Sequence, residues 1–265
     1  MPRLTALAAA ALLAAPALAE RIGPAALDAA PEVDVLIVGE AHDNPAHHLN
    51  QARAAAHASA VVWEMLTPDM AAGWDPALLG DLAALDAALG WSGAGWPDVA
   101  GYAPILEAAR AVPQRPGGVP PADVRRAAAE GAAPVFGEGA RRFGLADPFA
   151  PARQAREVAR QAAAHCGALP EDLLPGMVEV QRLRDAALAR AAIDALDRHG
   201  PPVLVIAGNG HAEFGAVPEA ILRADPEIVV RTVGQLEAEP EEAPPFDRWI
   251  LTDAPGRDDP CEAFQ

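Results

Sequence analysis

The sequence predicts an α/β protein: a mainly parallel sheet flanked by helices, with a helical insertion between two βα halves. The first observation is at the N-terminal end, where Val33-Asp34-Val35-Leu36-Ile37-Val38 is a β-branched run ending at Gly39 and Ala60-Val61-Val62-Trp63 is a second run ending at Glu64. Between them a helix start is marked by Asn44 as N-cap and Pro45 in the first helical position. Strand, helix and strand within about 30 residues make a βαβ unit, which requires a parallel pair. The second observation is that the C-terminal third repeats this logic. Val203-Leu204-Val205-Ile206-Ala207 ends at Gly208, a helix begins near Pro218, and Ile228-Val229-Val230-Arg231-Thr232-Val233 follows. A further strand fits residues 248–252. Third, the middle of the chain is helical, with helices expected at 78–89, 122–131, 151–164 and 175–198. Residues 113–121 are rich in Pro and Gly and read as a loop with no strand. The acidic, Pro-rich stretch 237–245 reads as a solvated linker, so the chain divides into residues 1–19, a single domain over 20–236, and a linker and tail over 237–265.

Residues 1–19 follow the pattern of a cleaved signal peptide: Arg3, an apolar run, then Ala17-Leu18-Ala19 as an A-x-A site. A periplasmic or secreted location follows, without membrane insertion after cleavage. In an oxidising compartment Cys166 and Cys261 are most simply a disulfide, tying the tail to the middle of the chain. The alternative, two thiols as metal ligands, lacks Zn-ribbon spacing. With 37 Asp+Glu against 20 Lys+Arg the net charge is −17, which disfavours nucleic acid and anionic lipid surfaces as partners. Every basic residue is Arg, so Schiff-base and P-loop lysine chemistry is excluded.

The two glycine-ended strands share a pattern. Val35-Leu36-Ile37-Val38-Gly39-Glu40-Ala41-His42 and Leu204-Val205-Ile206-Ala207-Gly208-Asn209-Gly210-His211 are each four apolar residues followed by Gly-x-x-His. The carboxyl ends of parallel strands open onto the crevice where ligands bind, so both imidazoles are expected at the rim of one site, with Glu64 at the end of the second strand. Burying the Glu64 carboxylate there demands a partner. On the 175–198 helix, Gln181, Arg184, Asp185 and Leu188 recur at i, i+3, i+4 and i+7, either lining the site or forming an exposed stripe with an Arg184–Asp185 surface pair. Such a set can bind a divalent metal through His42, Glu64 and His211, act as general base and electrostatic stabiliser without metal, or remain inert as hydrogen-bonded turn caps. In the first turn after Pro45, His48 is expected in the pocket and His47 on an exposed face.

Taken in order, Gly39-Glu40-Ala41-His42-Asp43-Asn44-Pro45-Ala46-His47-His48 with Gln51, Val61-Val62-Trp63-Glu64-Met65, Trp96-Pro97-Asp98 with Tyr102-Ala103-Pro104, Gln181-Arg182-Leu183-Arg184-Asp185, and Ile206-Ala207-Gly208-Asn209-Gly210-His211 with Val217-Pro218 resemble the ChaN-like family of the Tiki/TraB/erythromycin-esterase-like superfamily. The resemblance spans about residues 33–233. It implies an exported protein that binds haem or an iron complex for uptake or handling, with haem held as a stacked pair across a homodimer. Tyr102, the only Tyr of the chain, is then the expected axial ligand. His48, Trp96, Gln181, Arg184 and Asn209 are the expected companions in the haem pocket. The same residues also read as a Trp-rich packing corner with a hydrogen-bonded Tyr hydroxyl. Because haem carries two propionates and Lys is absent, any propionate clamp must be arginine, with Arg184 and Arg110 as candidates. The superfamily also implies an alternative, a metal-dependent hydrolase of peptidase or esterase type using Glu40, His42, Glu64, Asp185 and His211. There a divalent ion sits on His42, His211 and a carboxylate, while Glu40 or Glu64 activates water.

Overall fold

The computed structural model describes residues 19–257 and residue 261, so the expected signal peptide, apart from Ala19, lies outside the described residues. Seven strands form one sheet: β1 (Glu20–Arg21), β2 (Val35–Glu40), β3 (Ala60–Trp63), β4 (Gln114–Pro116), β5 (Val203–Gly208), β6 (Val230–Leu236) and β7 (Arg248–Leu251). Their order is β1-β7-β6-β2-β5-β3-β4, and every neighbouring pair is parallel. Parallel pairs need long crossovers, which are supplied here by helices. Helix α1 (Pro45–Ala55) joins β2 to β3. The helices α2 (Pro68–Ala71), α3 (Leu82–Leu89) and α4 (Val99–Ala108) precede β4, and α5 (Pro121–Glu130), α6 (Ala132–Phe136), α7 (Pro151–Ala164) and α8 (Leu174–His199) precede β5. Two more, α9 (Asn209–Ala212) and α10 (Val217–Ala224), lead to β6. No helix of the described residues is long and apolar enough to cross a membrane.

Strand alternation divides the core into two layers. Val35, Ile37, Val62, Val203 and Val205 face a layer built with Leu183, Leu188, Ala189 and Ile193 of α8. Leu36, Val38, Val61, Trp63 and Ile206 face a layer built with Ala54, Leu85, Trp91, Tyr102 and Ile105 on the α1, α3 and α4 side. The near-continuous apolar runs of β2 and β5 reflect burial on both faces, as expected for central parallel strands. The predicted N-cap holds: the Asn44 side chain accepts from the Ala46 N–H at 2.9 Å, with Pro45 opening the helix.

Two expectations change. Residues 114–116, read as loop, form the edge strand β4 on β3. The strand is short and ends in Pro, which an edge tolerates because its missing N–H is not needed by a further neighbour. Gln114 anchors it, accepting from Trp63 Nε1 at 2.7 Å and donating to the carbonyls of Ala109 and Val112. The helix expected over 78–89 is a 3-10 turn at Pro76–Gly80 followed by α3, because Asp81 caps a new start through the Ala84 N–H. The strand expected over 248–252 forms as β7: beyond the acidic segment the chain returns to the sheet between β6 and β1, and then lies along the end of α1, where Thr252 and the Asp253 carbonyl meet His47 and Asn44. The Cys166–Cys261 disulfide is formed, linking the second residue past α7 to this tail.

Candidate functional site

Sheet register fixes the site. Glu40 pairs with Gly208 across β2 and β5, and the Glu64 N–H, one residue past β3, donates to the Ile206 carbonyl at 3.0 Å. Both carboxylates and Gly208 therefore stand at the carboxyl end of the central strands. Alternation sends the two carboxylates to opposite faces, Glu40 with Leu36 and Val38, Glu64 with Ala60 and Val62. His42, two residues beyond β2, bridges them, its Nδ1 lying 2.6 Å from Glu40 Oε1 and its Nε2 3.7 Å from Glu64 Oε2. A Cβ at position 208 would stand 3.0 Å from His42 Nε2, so a side chain there presses on the imidazole. Position 39 is tighter, since a Cβ would meet Asn209 Oδ1 at 2.4 Å and Ala212 Cβ at 3.2 Å.

On the α8 face His211 is held between two carboxylates: Nδ1 lies 2.6 Å from Asp185 Oδ1 and Nε2 3.2 Å from Glu64 Oε1. The Gln181 amide lies 3.1 Å from the same Nδ1. Glu64 Oε2 also accepts the Gly208 N–H at 2.7 Å. Burial opposes charge on His211, but Glu64 and Asp185 outweigh it and push its pKa up to about 10. Burial works against the Glu64 carboxylate too, yet the His211 charge and hydrogen bond, with His42, hold it well below the usual carboxylate range. His42 is raised as well: its burial is overcome by the Glu40 hydrogen bond and by the charges of Glu64 and Glu40. The strand-end cluster is thus a chain of alternating carboxyl and imidazole groups, Asp185, His211, Glu64, His42, Glu40, in which burial pushes the Asp185 pKa up against the pull of His211.

On the opposite face Glu40 is buried and also accepts from the Tyr102 hydroxyl at 2.9 Å. Tyr102 donates to the His42 carbonyl as well, at 3.1 Å, and is fully enclosed by His48, Trp63 and Trp91. Burial and the Glu40 charge push its pKa up, so it is a neutral phenol held against Glu40. Tyr102, the axial ligand that the resemblance implies, thus has its hydroxyl engaged by Glu40 and the His42 carbonyl in this structure. His48, expected in the pocket, lies behind Glu40, with Nε2 3.6 Å from Glu40 Oε2, and burial pushes its pKa down. His47, expected on an exposed face, is completely buried, with Nδ1 2.8 Å from the Ala41 N and Nε2 2.8 Å from Thr252 Oγ1. The returning C-terminal segment covers it, and burial lowers its pKa to about 4. Asn209 does not face a pocket either; its side chain exchanges two hydrogen bonds with the backbone of Gln235, clamping α9 to β6.

The metal expectation also changes. Among the described residues no group of three or more His, Cys, Asp or Glu is arranged to hold a metal ion. His42, Glu64 and His211 converge, but both His211 nitrogens are engaged by carboxylates and Glu64 Oε2 takes the Gly208 N–H, while His42 Nε2 stands 3.7 Å from Glu64, beyond hydrogen-bond distance. Arg110, a candidate clamp, is exposed and lies 3.7 Å from Glu107.

Two cavities flank the cluster. One, of about 450 Å³, is walled by Met65, Met70, Trp96, Val119, Val124 and Leu188, with Glu64, Arg125 and Arg184 also on its lining. Trp96 is fixed there by its Nε1 donating to the Met65 carbonyl at 3.1 Å, and His42 packs on it with ring centroids 5.0 Å apart. The other, of about 550 Å³, opens between α7 and α8 over Gln181 and Asp185 and is bordered by Arg153, Arg156, Arg160 and Glu213. Sequence reasoning found Trp96, Gln181, Asp185 and Arg184 but missed Met65, Met70 and Arg125. Nothing in the local sequence sets the two Met or Arg125 apart from their neighbours.

Residues 26–221 match the family described as haem-binding uptake, Tiki superfamily, ChaN. No curated protein matches the chain by sequence. Of solved structures, ChaN of Campylobacter jejuni, described as binding heme cofacially, is similar with a TM-score of 0.58 at 18% identity, over 83% of this chain and 87% of that one. The type III effector HopBA1 is similar with a TM-score of 0.51 at 12% identity, over 90% of this chain and 99% of that one. At such identities the likeness shows a shared fold, and the family match, covering most of the sequence, goes further: the chain belongs to the ChaN family of the Tiki superfamily.

Proposed function

We propose that this chain is an exported protein that binds haem or an iron complex and serves haem or iron uptake or handling. The observation that carries the reading is the apolar cavity walled by Trp96, Met65, Met70 and Leu188 at the carboxyl end of the sheet, in a chain whose family is described as haem-binding. Cavities of this size with flat apolar walls and a few polar groups suit a planar cofactor. The residues fit the group in that respect: Trp96 and the two Met offer a face for a porphyrin. Haem, when bound, supplies a redox-active iron in a flat apolar ring bearing two carboxylates. His42, packed on Trp96 and about 29% exposed, borders that wall. The cofacial heme binding described for Campylobacter jejuni ChaN, whose fold this chain shares, supports extending the proposal to a homodimer holding two haems face to face.

Hemin titrated into the purified protein lacking residues 1–19 is expected to give a saturable Soret shift, with sedimentation showing a dimer at full loading. A Soret band indistinguishable from free hemin at every ratio overturns the reading. A shift without dimerisation removes only the cofacial pair.

Tyr102 makes a separate prediction. Because its hydroxyl is buried and engaged by Glu40, Tyr102→Phe is expected to leave the hemin-induced Soret shift in place. It should lower stability by about 1–3 kcal/mol, since the buried Glu40 carboxylate loses a donor. Paired hemin titration and urea unfolding check both. A folded Tyr102→Phe protein that no longer shifts the Soret band would make Tyr102 an iron ligand after rearrangement.

A further inference from the structure

Arg125 and Arg184 line the same apolar cavity from two different helices, α5 and α8, and neither makes a hydrogen bond or ion pair with any described residue. Their neighbours in sequence are otherwise: Arg126 holds Asp123 and Glu130, and Arg182 holds Glu179 and three backbone carbonyls. Arg184 is half-buried, so its charge is partly removed from water without a compensating anion. The one carboxylate on the cavity wall, Glu64, is committed to His211, His42 and the Gly208 N–H. The cavity therefore combines an apolar wall with two guanidinium groups that no described residue pairs, Arg125 exposed at the rim and Arg184 half-buried, and guanidinium forks match carboxylates in bidentate geometry.

On this basis the geometry points to a site for a planar apolar dicarboxylate of the tetrapyrrole class, recognised through Arg125 and Arg184 and therefore bound whether or not it carries a metal. The inference rests on the haem-binding reading and sharpens it by separating recognition of the ring's acid groups from recognition of its iron. No histidine or tyrosine is among the residues that line this cavity. His211 is saturated by Asp185 and Glu64, Tyr102 is turned to the other face of the sheet, and His42 stands at the edge with Nδ1 held by Glu40. Carboxylate capture by arginine also explains how a chain of net charge −17 attracts a dianion. The attraction is local and short-range, in a cavity whose acidic residue is already neutralised by imidazolium.

The experiment is a titration of the protein lacking residues 1–19 with metal-free protoporphyrin IX, read by its own Soret band and emission, beside protoporphyrin IX dimethyl ester and hemin. Metal-free protoporphyrin IX is expected to bind saturably, and the dimethyl ester at least about tenfold more weakly, since esterification removes the charge-assisted hydrogen bonds. Arg125→Ala and Arg184→Gln are each expected to weaken protoporphyrin IX binding by about tenfold or more, with thermal unfolding showing that the variants fold. Hemin binding without protoporphyrin IX binding would make iron the determinant and overturn the inference while leaving the haem reading intact. Equal binding of the acid and its diester by the unaltered protein would overturn it independently of any variant. Failure of all three ligands would overturn the haem reading itself.

Discussion

Glu64→Ala is expected to destabilise the fold by about 3–5 kcal/mol, because it strands a buried positive charge. Glu64 is the anion between two imidazoles, 3.2 Å from His211 Nε2 and 3.7 Å from His42 Nε2, and it takes the Gly208 N–H at 2.7 Å. Removing it leaves that donor unpaired and His211 with Asp185 alone. Glu64→Gln separates the contributions, since an amide oxygen still accepts from Gly208 but carries no charge. The pH dependence follows from the same pair. The folded pKa of His211 is raised, to about 10 from 6.5, so the stability it contributes is fully present below about 6.5 and is lost as pH rises through about 10. Over that window one proton of differential binding lowers unfolding free energy by at most about 1.4 kcal/mol per pH unit. Glu64 is shifted the other way; its contribution is present above about 4.5 and is lost as pH falls toward its depressed folded value. Urea unfolding at pH 6 and pH 9 is expected to show the wild type weaker at pH 9, with a flatter response in Glu64→Gln. Equal stability of Glu64→Ala and wild type, or no alkaline slope in the wild type, would contradict the assignment of His211 as a buried imidazolium.

How much of this was legible in sequence depends on whether the signal is local. The β2 and β5 runs and their Gly-x-x-His endings are local, and sheet register converts that repetition into a shared level at Glu40, Gly208 and Glu64. The extents of α7 and α8 follow from periodicity and Pro at the first turn, and the observed bounds lie within a residue of those expected. What could not be read is which sheet face each strand-end group serves. Glu40 and Glu64 look equivalent in sequence, yet one meets Tyr102 and His48 from α4 and α1, and the other meets His211 and, through it, Asp185 from α8. The burial of His47 depends on a C-terminal segment about 205 residues away, and no local pattern near Pro45 announces it. Arg125 is silent for the opposite reason: its importance lies in lacking a partner, and absence of a long-range contact leaves no trace in the order of residues.

Cleaving the Cys166–Cys261 disulfide is expected to lower stability by up to about 4–5 kcal/mol, because the bridge closes a loop of 95 residues in the unfolded chain. The local consequence is larger than its position in the tail suggests. Helix α7, which ends two residues before Cys166, contributes no fully buried side chain. It is held to the body by polar contacts: Arg153 with Glu219 at 2.8 Å, Arg160 with Glu213 at 2.7 Å, and Arg153 stacked over the Phe149 ring. Ion pairs of this exposure are each worth no more than about 1 kcal/mol, so the covalent tether is a major restraint on the segment that covers Gln181 and Asp185. Helices with few buried apolar contacts open locally at low cost, and opening α7 brings water to Asp185, the carboxylate that supports His211. Cys166→Ser with Cys261→Ser is therefore expected to speed amide hydrogen exchange across 151–173 by more than it speeds exchange in β2 and β5, and to shift the urea midpoint downward. Reduction of the unaltered protein should reproduce both effects, while Glu64→Gln, which leaves the tether intact, should not accelerate exchange in α7. An unchanged midpoint and unchanged α7 exchange on reduction would show that the bridge does not form or restrain the helix.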